Sequence, residues 1–187
     1  MIREGSLPGH VCVSMVEEAA VAEHLDFEAF CLGQNPRLIR MLTLFTGDAE
    51  LARDLTQETF VRAWVHWRKV RKMDRPDLWT KKVALNLATS QFRRRRTERI
   101  VQDRISAGAM FEQLGEGGDR VAVRAALMRL SRRQRTAILL RYLEDLSVEQ
   151  TADLMLCSEG TVKKLTARGL VGLRAWVRED VEVERDA

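Results

Sequence analysis

The sequence predicts an all-α protein made of two small helical domains joined by a flexible linker. Three observations lead there. Apolar residues recur at helical spacing along most of the chain, without the sustained alternation that a strand requires. Aromatic residues make up 6% of the 187 residues and proline occurs three times, while Leu, Ala, Val, Arg and Glu dominate. One stretch, from about Thr97 to Asp119, contains "AGAM" and "GEGG" and has no apolar face, so it divides the chain.

Residues 1–22 contain Gly5, Pro8 and Gly9, followed by an acidic, alanine-rich piece. They are expected to form a loosely ordered acidic extension. The first domain is placed at 23–96. Phe27, Phe30, Cys31, Leu38, Leu42 and Phe45 mark its first helix. Gly47 breaks that pattern, and Asp48 can accept a backbone N–H at the start of the next helix. The second helix is expected to turn Leu51, Leu55, Val61, Trp64 and Val65 inward, with Trp64 in the core. Arg68 to Asp77 reads as a basic loop holding Pro76. A helix from about Leu78 to Arg95 follows, with Val83, Leu87 and Phe92 as its apolar side.

The linker is placed at 97–120, the second domain at 121–180, and an acidic tail at 181–187. In the second domain Val121 to Leu130 is expected to be helical. Ser131 with Gln134, and Ser147 with Gln150, each spell S-x-x-Q, the pattern in which a cap hydroxyl and a third-position side chain satisfy each other's orphan N–H groups. The first box opens a helix carrying Ile138, Leu139 and Tyr142. The second opens a helix carrying Ala152 and Leu154. A tight turn at Leu156 then leads into a long helix from about Ser158 to Arg178. Helix, tight turn and helix, with small Ala152 at the crossing, is the helix-turn-helix pattern.

In that motif the N-terminal half of the second helix enters the major groove. Val162, Leu165, Leu170 and Leu173 can face the domain core, which leaves Glu159, Lys163, Lys164, Ala167 and Arg168 on other faces. Lys and Arg there can bond guanine acceptors or phosphates. A solvated basic face is the plainer alternative; the preceding turn and capped helix favour DNA contact. Leu156 is an oddity, because a glycine bends more easily there. A positive φ at a leucine would cost on the order of 1 kcal/mol.

Charge is unevenly placed. Between Arg68 and Arg99 twelve Lys/Arg face only Asp74, Asp77 and Glu98. The first thirty residues carry Arg3 against six acids. Basic blocks between acidic ends indicate a polyanion partner. In "RPDLWTKKVALNLATSQFRRRR", Lys81, Lys82 and the arginine run can neutralise phosphates, and the amide of Asn86 can pair with a base edge. Trp64, Trp67 and Trp79 flank the basic loop, where rings can stack on unpaired bases; core packing is the commoner fate of each. In "GDAELARDLTQETFVRAWVHW", Asp48, Glu50, Asp54, Gln57 and Glu58 lie on one side of the helix. That face is either solvated or a docking surface for a basic protein, and spacing alone leaves both open.

Other classes find little support. Cys12, Cys31 and Cys157 form no CxxC pair and no even framework, so neither disulfides nor a thiolate metal site is expected. His10 with Cys12, or His24 with Cys31, are isolated residues rather than ligand sets. No paired carboxylates at metal spacing and no Ser/His/Asp or Cys/His constellation stand out, so no catalytic residue, metal or cofactor is expected. No apolar run approaches membrane-spanning length and no signal pattern opens the chain. A soluble, cytoplasmic protein without membrane insertion is the expectation.

"LTLFTGDAELARDLTQETFVRAW" and "RPDLWTKKVALNLATSQFRRRR", followed by "LMRLSRRQRTAILLRYLEDLSVEQTADLMLCSEGTVKKLTARGLVGLR", resemble conserved regions two and four of bacterial RNA polymerase sigma factors of the extracytoplasmic-function (ECF) group. The likeness covers about 26–96 and 121–178. It implies a non-catalytic subunit that binds core RNA polymerase and directs promoter-specific initiation. It also implies roles. Asp54, Gln57 and Glu58 would dock the polymerase clamp, and the second domain would meet the flap. Arg68, Lys69, Arg71, Lys72, Lys82, Asn86, Ser90, Arg93 and Arg94 would hold the melted −10 strand. Ser158, Glu159, Thr161, Lys163, Lys164 and Arg168 would read the −35 duplex. An anti-sigma factor is a candidate further partner. The family's usual Arg-Asn pair is Leu85-Asn86 here, Ser90 takes the position of a later Asp, and Lys164-Leu165-Thr166 replaces a common Ser-Arg-Leu. A stand-alone operator-binding repressor would explain 121–178 but not the separate basic first domain.

Overall fold

The computed structural model describes residues 9–101 and 118–185, with side chains defined for Glu18, 20–94 and 123–176. Every regular element among them is helical. The helices are α1 (Gly9–Thr46), α2 (Ala49–Val65), α3 (Trp67–Val70), α4 (Pro76–Val101), α5 (Gly118–Arg129), α6 (Arg132–Ile138), α7 (Val148–Met155) and α8 (Glu159–Arg185). A single π-turn, Leu139–Leu143, extends α6. The central part of the expected linker lies outside the described residues, and so do the side chains of the acidic tail.

Helix α1 runs 38 residues and starts at Gly9, so the segment expected to be loosely ordered is helical from there on. Pro36 sits inside it. A proline has no N–H for the carbonyl four residues back, which is that of Leu32. Leu32 lies on the exposed side of the helix, where water can take that place. Gly47, at φ +78°, ends the helix in a conformation that suits glycine. Asp48 then caps α2, its Oδ1 accepting from Leu51 N at 2.9 Å.

The buried face of α2 differs from the expected one. It carries Leu51, Ala52, Leu55, Thr56, Thr59 and Ala63, whereas Val61, Trp64 and Val65 are exposed. Ala52, Thr56, Thr59 and Ala63 form a small-residue stripe that lets α2 approach its neighbours closely. Both threonine hydroxyls donate to carbonyls one turn back, at 2.8 and 2.7 Å, so they enter the core satisfied. The helix breaks at His66, and the core tryptophan is Trp67, 3% exposed, at the start of α3. Trp64 instead packs edge-on against His24 and at a tilt against Phe27 at the surface.

Helix α4 opens with Pro76, whose missing N–H is an orphan there in any case. It buries Thr80, Lys81, Ala84, Leu85 and Ala88, while Val83, Leu87 and Phe92 are only half-buried.

In the second domain both capping boxes form. Ser131 Oγ accepts from Gln134 N and Ser147 Oγ from Gln150 N, and both glutamine side chains return the bond. Chain reversal after the π-turn uses Asp145 at φ +51°, and Arg141 donates to the Leu146 carbonyl. Leu156 ends α7 in the left-handed region, φ 49° and ψ 53°, with its side chain 77% exposed. It is strained backbone rather than core. Gly169 lets α8 cross α6, since a Cβ there would meet Ile138 Cγ1 at 3.0 Å. Val162 is fully buried, Leu165, Leu170 and Leu173 are half-buried, and Tyr142 is exposed.

The two domains pack against each other, and one apolar core runs from Leu38, Met41, Leu42 and Phe45 through Leu85 and Ala88 to Leu127, Leu130, Ile138 and Leu140. Polar contacts join them as well. Arg124 Nη2 donates to the Gly47 carbonyl at 2.6 Å. Arg135 donates to the carbonyls of Leu127, Met128 and Leu130 and, across the domains, to that of Phe45 at 2.5 Å. Burial, with Arg132 nearby, pulls the Arg135 guanidinium down to about 10, so it stays charged at neutral pH.

Candidate nucleic-acid and docking surfaces

On α2 the three candidate docking residues share one exposed face: Asp54, Gln57 and Glu58 stand at i, i+3 and i+4, opposite the small-residue stripe. Glu58 pairs with Arg62 one turn on at 2.9 Å. The surface is acidic, wet and borne on a rigid helix.

Beyond it, Arg68, Lys69, Arg71 and Lys72 are all exposed on α3 and the turn after it. Two meet acids of α1: Arg68 Nε lies 3.4 Å from Glu23 Oε1, and Arg71 Nη1 lies 3.7 Å from Asp26 Oδ2. An open pocket of about 440 Å³ adjoins them, lined in part by Glu23, Trp64, His66, Arg68 and Lys69.

Helix α4 places Lys82, Asn86 and Ser90 at i, i+4 and i+8, one stripe that continues toward exposed Arg93 and Arg94. Asn86 and Ser90 are exposed and Lys82 is half-buried. Lys81 is a correction. Expected to face phosphates, it is buried, with Nζ 3.1 Å from Asp77 Oδ2 and 3.2 Å from Glu144 Oε2. One position along a helix turns a side chain by about 100°, so neighbouring lysines meet opposite surroundings. Arg75 grips Asp77 with two bonds of 2.9 Å. Burial raises the Asp77 carboxyl, but the bonds and charges of Arg75 and Lys81 outweigh it and hold the group at about 2.

The start of α8 is a capped turn with an exposed face. Ser158 Oγ accepts from Thr161 N at 3.3 Å and lies 2.9 Å from the Thr161 hydroxyl, which fixes the first turn. Ser158, Glu159, Lys163, Lys164 and Arg168 are exposed, and Thr161 is half-buried. Lys163 lies 3.6 Å from Glu159. Among the described residues no group of three His, Cys, Asp or Glu could hold a metal ion.

Sequence reasoning favoured the core for Trp67, which holds, and for Trp64, which does not; it missed the acids Glu23 and Asp26 beside the basic loop and Glu144 as the partner of Lys81. The acidic bias of the first thirty residues was the one signal that pointed at Glu23 and Asp26.

A helical domain with a basic, polar-striped helix, coupled to a helix-turn-helix domain, defines a DNA-binding protein. Comparison with known families names the class. The family described as Sigma-70 region 2 matches residues 34–98, and Sigma-70, region 4 matches 120–171. The ECF RNA polymerase sigma factor SigL of Mycobacterium tuberculosis is 30% identical over 172 residues, covering 89% of this chain and 97% of that protein. The RNA polymerase sigma-E factor of Streptomyces coelicolor is 28% identical over 154 residues, covering 82% and 87%. Among solved structures, the sigma factor RpoE in complex with the anti-sigma factor NepR, from Bartonella quintana, superposes with a TM-score of 0.73 at 26% identity, over 82% of this chain and 97% of that one. CnrH, in complex with the cytosolic domain of CnrY, shares the fold, with a TM-score of 0.61 at 22% identity over 88% and 95%.

The chain belongs to the ECF group of RNA polymerase sigma factors. It directs promoter-specific transcription initiation by RNA polymerase and is a non-catalytic subunit of it. No helix among the described residues is long and apolar enough to cross a membrane.

Proposed function

We propose that this sigma factor divides its work among the three surfaces just described. Asp54, Gln57 and Glu58 on α2 dock the clamp of core polymerase, and the second domain meets the flap. Arg68, Lys69, Arg71 and Lys72, with the α4 stripe of Lys82, Asn86, Ser90, Arg93 and Arg94, hold the −10 element as a melted strand. Cations neutralise its phosphates, and the Asn86 amide and Ser90 hydroxyl offer donors and acceptors to unpaired bases. Unstacking a base costs a few kcal/mol, which such contacts must offset. Ser158, Glu159, Thr161, Lys163, Lys164 and Arg168 read the −35 element in the major groove.

The observation that carries this reading is the capped start of α8, with Lys163, Lys164 and Arg168 exposed on a helix whose opposite side is held by buried Val162 and Gly169. An anti-sigma factor is proposed as a regulatory partner, supported by the relative solved in complex with one. The place of action is the cytoplasm, where core polymerase works. The test is run-off transcription from a genomic template library with purified core polymerase. The reading expects start sites that appear only when this protein is added. Absence of any new start site overturns it.

A further inference from the structure

The acids of α1 and the cations of the basic loop are set in register. Glu23 and Asp26 stand at i and i+3 on α1, and Arg68 and Arg71 stand at i and i+3 on α3 and its end. Glu23 meets Arg68 at 3.4 Å, and Asp26 meets Arg71 at 3.7 Å. A ring cluster fixes this register. Phe27 and Phe30, on the same side of α1 as the two acids, pack on buried Trp67 with ring centroids 5.1 and 5.0 Å away.

Lys69 and Lys72 repeat the i, i+3 step one residue further on, turned by about 100°. Both are exposed, and among the described residues no acid pairs with either. The loop therefore has two edges. Its arginine edge faces the acids of α1, and its lysine edge faces water. The open pocket of about 440 Å³ brings the edges together, with Glu23, Arg68 and Lys69 all on its wall.

Exposed ion pairs contribute little to stability, and the rings already hold α1 on α3. The acids act instead on any anion that approaches. A phosphate reaching Arg68 or Arg71 must displace a carboxylate or share the guanidinium with it, against the repulsion of like charges. A displaced carboxylate also draws a cation back from solution, which offsets the counterions the strand releases. At Lys69 and Lys72 the phosphate meets no such rival.

We propose that Glu23 and Asp26 are built-in counterions of the −10 surface. They withhold Arg68 and Arg71 from sequence-independent phosphate contact and leave that contact to Lys69 and Lys72. The inference rests on the strand assignment above and sorts its cations into two kinds. A weaker grip on phosphates leaves more of the chain free in the presence of excess single strands of other sequence, RNA included.

The test is fluorescence anisotropy of a dye-labelled thymidine oligomer of about 20 nucleotides, which offers phosphates without promoter sequence. It is titrated with the full-length chain from about 50 to about 200 mM salt. The Glu23→Gln/Asp26→Asn chain is expected to bind about 3–10-fold more tightly than the parent near 100 mM salt. Its plot of log K against log salt should be steeper by up to about 1.4, or ~0.7 for each arginine released. In the parent, Lys69→Ala and Lys72→Ala should each flatten the slope by about 0.7, and Arg68→Ala and Arg71→Ala by less than half of that. Glu28→Gln removes an exposed acid of α1 that pairs with no base among the described residues, and it should leave the slope unchanged. A double variant that binds no more tightly than the parent overturns the proposal, and so does a gain that Glu28→Gln reproduces. Either failure leaves run-off initiation as expected. Binding by neither the parent nor the double variant counts against the strand assignment as well as against this inference.

Discussion

Arg135 Nη1 donates to the Phe45 carbonyl across ninety residues of sequence, while the same guanidinium holds three carbonyls where α5 ends and α6 begins. One buried cation therefore closes a helix end and ties two domains. Arg135→Leu strands those acceptors and is expected to cost on the order of 3 kcal/mol in urea unfolding of the full chain. Arg135→Lys keeps the charge but lacks the fork, so it recovers less than half of the loss. An unchanged midpoint in Arg135→Leu would refute this account.

Leu156 stands at φ 49° with an exposed side chain. Leu156→Gly relieves the backbone and removes no core contact. Stability should rise by about 0.5–1 kcal/mol, with promoter choice unchanged. A lower melting temperature would show that the side chain packs in a way its exposure does not reveal.

Asp77 titrates at about 2 in the folded chain against an ordinary 3.8. Its folded pKa is depressed, so its stabilisation is complete above the ordinary value and is lost as pH falls toward 2. Asp77→Asn is expected to melt below the parent at pH 7, with the gap shrinking as pH drops from about 4 to about 2. Melting curves across that range check it, and a gap independent of pH would count against the pairing.

The basic residues of α8 predict a graded effect. Alanine at Lys163, Lys164 or Arg168 should weaken initiation at promoters that depend on the −35 element, by about 1–3 kcal/mol where a base contact is lost. A phosphate contact should instead lower the salt slope of duplex binding by roughly one. Full activity in the triple variant would exclude this face from the groove.

On α2, Asp54→Ala, Gln57→Ala and Glu58→Ala remove exposed groups and leave the buried stripe alone. Binding to core polymerase is expected to fall, with duplex binding by the full chain retained. Surface plasmon resonance on immobilised core gives the first quantity and gel shift the second. Equal loss in both assays would point to misfolding rather than docking.

What the sequence revealed was mostly local. Asp48, Ser131 and Ser147 announce their caps because each needs only residues three positions on. The turn at Leu156 and the outward side of α8 follow from spacing alone. Trp64 and Trp67 could not be sorted that way. Their places depend on where α2 breaks, at His66, and on a stripe of Ala and Thr that gives little hydrophobic signal while fixing the buried face. Lys81 and Lys82 looked equivalent for a similar reason. Their difference comes from Glu144, 63 residues away, and no local pattern encodes it. The helical start of α1 at Gly9 ran against Pro8, Gly9 and the acidic composition.

The π-turn at Leu139–Leu143 holds one residue more than an α-helical turn would accommodate. Deleting a single residue there would return the backbone to α-helical register and swing everything after it by about 100° about the helix axis. The carboxylate of Glu144 would then leave Lys81, although α7 and α8 could stay internally unchanged. A one-codon deletion would in this way part the two domains at that ion pair while leaving each of them whole.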